Sequence, residues 1–130
     1  MDAADEIWNR AAMNRGGPEP RKGDVALSSV LDVHNLVMSG GLLDAVERLT
    51  PEQLEAAEAG YGWLRLEPAA DVLAMVRREV SGGALDDDDR AEALELRADE
   101  EYGRMIPTDQ TLVDAFRTRL NEDPDDFASV

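Results

Sequence analysis

The chain contains no cysteine, which excludes disulfides and thiolate metal sites. Histidine occurs once, at His34, and lysine once, at Lys22. Aromatic side chains are also few: Trp8, Tyr61, Trp63, Tyr102, Phe116 and Phe127 complete the set. A core must therefore be drawn from Leu, Val, Ala and Met, which suits helix packing better than sheet packing. No apolar run approaches the roughly 18 residues that a membrane span needs. The stretch Met1-Asp2-Ala3-Ala4-Asp5-Glu6 is acidic and lacks the features of a secretory signal, so the expected setting is the cytoplasm. Basic residues are scarce too, 13 Lys and Arg against 29 Asp and Glu, for a formal net charge of −16. Such a chain repels a phosphate backbone, and direct binding to nucleic acid is excluded as a role.

What is present has the size of one domain, 130 residues with 43% hydrophobic content, enough for a packed core. Turn and cap signals divide it into helices. The first runs from about Asp2 to Arg15, with Ile7, Trp8, Ala11 and Ala12 on one face, and stops at Gly16-Gly17-Pro18-Glu19-Pro20. From Asp24, residues Leu27, Val30, Leu31, His34, Val37 and Met38 keep helical spacing up to Gly40-Gly41, which fits a left-handed C-cap. Leu42–Leu49 forms a short amphipathic piece whose Leu42, Leu43, Val46 and Leu49 suit either a core or a homodimer face. Thr50-Pro51-Glu52-Gln53 is a capping box with Pro at the first helical position. Another helix restarts at Glu67-Pro68 with Val72, Leu73 and Val76, and ends at Ser81-Gly82-Gly83. The next begins with Asp86–Asp89 in its first turn, and Pro107-Thr108 opens the last, which carries Leu112, Val113, Phe116 and Leu120. Trp63-Leu64-Arg65-Leu66 is the only short candidate for a strand. The expectation is a single all-α domain, residues 1–130, of five to seven helices.

The densest chemical feature lies between Asp86 and Glu101, where nine carboxylates fall within sixteen residues, offset only by Arg90 and Arg97. Asp88, Glu92, Glu95 and Asp99 follow the i, i+4, i+7, i+11 spacing of one helical stripe. At a helical rise of 1.5 Å the run carries about one charge per 2.7 Å, against about one per 3.4 Å along a DNA strand. A fixed array of that density fits the phosphate groove of a basic protein. It equally fits a solvated face that keeps an acidic protein soluble. Consecutive carboxylates on a helix diverge by about 100°, so Asp86-Asp87-Asp88-Asp89 does not converge on one metal ion, and it lacks the calcium-loop pattern. No cofactor is expected.

His34 lies on an apolar stripe, where an imidazole is usually a packed, hydrogen-bonded core group. A small hydrolase would instead need it beside a nucleophile and an orienting acid. Ser28 and Ser29 stand a turn or more away, and Asp32 points to another face. Trp8 and Trp63 fit either core anchors or interface contacts. The paired glycines lack a following Lys-Ser/Thr and so give no phosphate-cradling loop.

With its helices placed, the chain resembles a bacterial family of small, acidic, all-helical proteins named after DNA mimic protein nineteen. The likeness rests on Ile7-Trp8-Asn9, on Val33 through Ser39-Gly40-Gly41-Leu42, on Glu101-Tyr102, and on Asp109, Leu112, Phe116, Leu120 and Phe127. That family usually shows Asn-Gly-Gly-Phe and an aromatic-rich segment at the central motif, where this chain has Ser39-Gly40-Gly41-Leu42 and Leu43-Asp44-Ala45-Val46. The resemblance implies a helical fold and, by analogy, an acidic surface that engages a DNA-binding protein. The expected role is thus a non-enzymatic interaction protein. Its partner-binding residues would be Asp88, Glu92, Glu95 and Asp99, and its partner a basic protein: a DNA-binding regulator, a nuclease or a toxin. The alternatives are an immunity- or antitoxin-type protein that binds a toxin, and a hydrolase using His34.

Overall fold

In the computed structural model, which describes residues 2–130, helix α1 spans Ala3–Asn14 and α2 spans Lys22–Gly40. They are followed by α3 (Leu42–Arg48), α4 (Pro51–Trp63), α5 (Glu67–Ser81), α6 (Asp88–Met105) and α7 (Asp109–Glu122). Single 3-10 turns at Ala84–Asp86 and Pro124–Asp126 complete the order, and no strand occurs among the described residues. The protein is all-α and forms one domain around one apolar core. None of its described helices is long and apolar enough to cross a membrane.

Local chemistry sets the helix ends. The Asp2 carboxylate accepts from the Asp5 N–H at 2.8 Å and starts α1. The helix then breaks through left-handed Arg15 (φ 52°) into Gly16 and Gly17. Helix α2 begins at Lys22, before the expected Asp24. Asp24 is the third helical residue, and its carboxylate reaches back to the Arg21 N–H at 2.9 Å. Thr50 and Gln53 form the reciprocal capping box that their spacing predicts. Gly41 does take a positive φ, but with ψ 166° it is an extended link between α2 and α3 rather than a left-handed cap. Trp63–Leu66 is no strand: Trp63 ends α4, Arg65 turns through φ 62°, and the Leu66 N–H bonds back to the Tyr61 carbonyl at 2.8 Å.

Helix α2 packs most extensively against α4. A β-carbon at Gly60 would stand 2.6 Å from the Ala26 carbonyl oxygen, so only glycine permits that approach. Leu27, Val30 and Val33 of α2 are sealed against Leu54, Ala57 and Tyr61 of α4. Each fully buried Leu or Val contributes on the order of 1.5–3 kcal/mol. Helix α3 gives Leu42, Leu43 and Val46 to the same core, and Leu49 packs half-buried against it. In α1 the buried face is Ala4, Ile7 and Ala11, while Ala12 faces solvent. Half-buried Trp8 and Trp63 flank an aromatic chain that closes the end of the molecule. Trp8 meets Phe116 at 5.8 Å, Phe116 meets Phe127 at 5.5 Å, and Phe127 meets Trp63 at 5.6 Å. The Arg119 guanidinium lies 4.0 Å over Trp63.

Candidate functional site

Helix α6 turns Leu94, Ala98 and Tyr102 inward and its carboxylates outward. Its start lies two residues later than Asp86. Asp86 belongs to the preceding 3-10 turn, and Asp87 is the N-cap, accepting from the N–H groups of Asp89 and Arg90 at 2.9 and 3.3 Å. Negative charge at this end is favoured by the helix dipole. Further along, Asp88, Glu92 and Glu95 are exposed and have neither an ion pair nor a hydrogen bond.

The fourth stripe residue differs. Asp99 Oδ1 accepts the Leu42 N–H at 3.0 Å, so its carboxylate ties α6 to the first turn of α3. That use was not legible in the α6 spacing, because the donor lies on another helix. The nearby cations leave the stripe unneutralised: Arg90 reaches Glu79 at 3.9 Å, Arg97 reaches Glu101 at 3.6 Å, and Arg104 reaches Glu100 at 3.3 Å. Elsewhere the cations are also engaged. Arg10 binds Asp24, Arg48 binds Asp44, Arg65 binds Glu122, Arg77 binds Glu58, and Arg117 binds both Asp2 and Asp5. Leu96, 67% exposed, stands on the outward side of α6, one turn from Glu92 and Glu100 in the helical register. Among the described residues, no three His, Asp or Glu side chains come together as a metal-binding group.

The second constellation is buried at His34, Tyr102 and Tyr61 and reaches solvent at Asp109, whose side chain is exposed. His34 is only 3% exposed. Its Nε2 lies 2.7 Å from Asp109 Oδ1 and its Nδ1 lies 2.8 Å from the Tyr102 hydroxyl, which in turn is 2.6 Å from the Tyr61 hydroxyl. The relay links α7, α2, α6 and α4. With a single proton on the imidazole, the arrangement that satisfies every donor has His34 donating through Nε2–H to the Asp109 carboxylate and its Nδ1 accepting from the Tyr102 hydroxyl. The Tyr102 oxygen then accepts from the Tyr61 hydroxyl. Every donor in this four-residue relay has an acceptor. Burial is the first cause that pushes both phenols above the usual tyrosine range; the neighbouring Tyr102 adds to the shift at Tyr61, and the Asp109 charge adds to it at Tyr102.

The Asp109–His34 pair has the geometry of an orienting acid and its imidazole, which Ser28, Ser29 and Asp32 did not offer in the sequence. The group at Nδ1, however, is a phenol buried to 1% exposure rather than a solvent-facing nucleophile. Surface cavities such as the one lined by Glu58, Arg77, Arg78 and Ser81 involve none of the relay residues. The signal that could have disclosed the relay was modest: a histidine on an apolar stripe needs two partners. The only two tyrosines in the chain both occupy inward helical positions.

Comparison with known proteins finds no matching family model, no matching curated protein and no matching solved structure.

Proposed function

We propose that the protein is a non-enzymatic, cytoplasmic interaction module whose α6 face occupies the basic surface of a partner protein that otherwise holds nucleic acid. The observation that carries this reading is that Asp88, Glu92 and Glu95 stand free, while nearly every Arg is committed to a carboxylate elsewhere. Like charges at helical i, i+4 spacing cost about 0.2–0.5 kcal/mol per pair, and no neighbour offsets them. Carboxylates in this array would replace phosphates against Arg and Lys of a regulator or nuclease. Association would be fast and salt-sensitive. The sequence likeness to the DNA-mimic family points to the same class of partner.

Exposed Leu96 favours a second reading, in which the same face enters a mixed apolar and basic surface on a toxin. One experiment addresses both. The protein and a variant carrying Asp88→Lys, Glu92→Lys and Glu95→Lys are used as baits in host lysate, with elution by salt from about 50 to 500 mM. Asp99 is left intact because it holds α3. A partner retained by the native chain alone, released by salt and displaced by duplex DNA supports mimicry. A partner that duplex DNA does not displace and that Leu96→Ala releases supports the toxin reading. Equal retention by both baits refutes an interaction through α6.

A further inference from the structure

Residues Phe127–Ser129 lie in a slot between α1 and α2 that reads their backbone. Asp24, fully buried, accepts the Ala128 N–H through Oδ2 at 2.7 Å. Arg10 donates to the carbonyls of Ala128 and Ser129 at 2.9 and 3.0 Å. Arg21 donates to the Asp125 and Phe127 carbonyls at 3.0 and 3.5 Å. The Phe127 ring enters between Trp63 and Phe116. Gly23 makes the approach possible, because a β-carbon there would stand 2.8 Å from the Asp126 carbonyl oxygen and from the Phe127 ring.

The slot is held in shape by α1 and α2 themselves. Asp24 also accepts the Arg21 N–H and an Arg10 Nη2–H, each at 2.9 Å, so its lone pairs and the Arg10 fork are oriented independently of the segment they bind. Recognition uses main-chain groups and one ring, and these are identical whichever copy of the chain supplies them. The link from α7 is a single 3-10 turn, closed by Asp126 N–H to the Asp123 carbonyl at 3.0 Å and Phe127 N–H to the Pro124 carbonyl at 3.3 Å. Opening that turn releases the segment without unwinding a helix.

We propose that this slot is a peptide-binding site that also takes the Phe127–Ser129 segment of a second copy, joining two chains by segment exchange. The chain's own segment competes at an effective concentration on the order of millimolar, so the native protein exchanges only as its concentration approaches that range.

Two full-length variants provide the test. Phe127→Ala keeps an open slot and loses its anchor; Gly23→Ala obstructs the slot and leaves the segment intact but displaced. At about 0.1 mM, well below the effective concentration of the segment, each variant alone is expected to sediment as a monomer. Their equimolar mixture is expected to form a one-to-one pair, with at least about tenfold more dimer than either variant alone. A mixture that sediments as monomers overturns the proposal. If Phe127→Ala loses its helical signal, the native chain is titrated instead, to about tenfold above the millimolar effective concentration of its own segment, with a peptide of residues 124–130 that carries 4-fluorophenylalanine at position 127. A saturable second fluorine resonance, lost on adding unlabelled peptide, supports the slot; a free-peptide resonance alone overturns it.

Discussion

The proton order of the buried relay makes a sharp prediction about two hydroxyls that look alike. Tyr61→Phe removes the terminal donor. The Tyr102 hydroxyl still donates to His34 and His34 to Asp109, so no buried donor is orphaned. The expected loss is that of one net hydrogen bond, about 1 kcal/mol. Tyr102→Phe removes the middle member. It leaves His34 Nδ1 without a donor and the Tyr61 hydroxyl without an acceptor, both buried, at about 1–3 kcal/mol each. The single variants should therefore differ by a factor of two or more in destabilisation. Combining them should invert a sign. In the Tyr102→Phe background, Tyr61→Phe deletes an orphaned hydroxyl and restores about 1–3 kcal/mol. Urea unfolding of the native chain, both singles and the double variant, read at constant m, measures all four corners of this cycle. The reasoning fails if the singles are equal, or if Tyr61→Phe destabilises both backgrounds alike.

Three further expectations follow from the same structure. Unfolded tyrosines lose protons near pH 10, whereas burial keeps those of Tyr61 and Tyr102 on the folded chain to higher pH. The native state therefore binds more protons above pH 10, and stability should fall there by up to about 1.4 kcal/mol per pH unit per tyrosine, less steeply in Tyr61→Phe; urea midpoints between pH 9 and 11 would check it. At the other extreme, the Asp5 N–H is the largest cause holding the Asp2 carboxyl below its usual range, and the Arg65 hydrogen bond does the same for Glu122. Their stabilisation is present above the unfolded carboxylate range and is lost as pH falls through the lower folded values, so hydrogen exchange at pH 3 to 4 should show the start of α1 and the end of α7 fraying before α4. On α6, Asp99→Ala should cost about 1 kcal/mol by uncapping α3. Glu95→Lys should instead stabilise by about 0.2–0.5 kcal/mol for each like-charge neighbour it relieves, and thermal midpoints that moved in the same direction for both would contradict the division of the stripe.

The helices were legible in the sequence because their determinants are local. The Thr50-Pro51-Glu52-Gln53 box, the Gly16-Gly17-Pro18 stop and the 3.6-residue apolar spacing each lie within a few residues of what they decide. What escaped is long-range pairing. Asp99 looks like Glu95 in sequence, yet one caps a distant helix and the other faces water. His34 meets Tyr102 and Asp109 across separations of 68 and 75 residues, which no local pattern encodes. The start of α2 was placed two residues late because the apolar spacing begins after Asp24, whereas Asp24 is the third helical residue and its carboxylate reaches back to the Arg21 N–H.

Gly60 acts on the relay as a spacer of fixed thickness. The contact of its backbone with Ala26 sets how near α2 and α4 run, and the next residue is Tyr61, whose hydroxyl must reach Tyr102 at 2.6 Å while His34 waits on α2. Hydrogen bonds of that length tolerate a few tenths of an ångström before they weaken. A single methyl group at position 60 would act like a shim between two machined parts, and the misalignment would be felt in the polar chain before it was felt in the oily one.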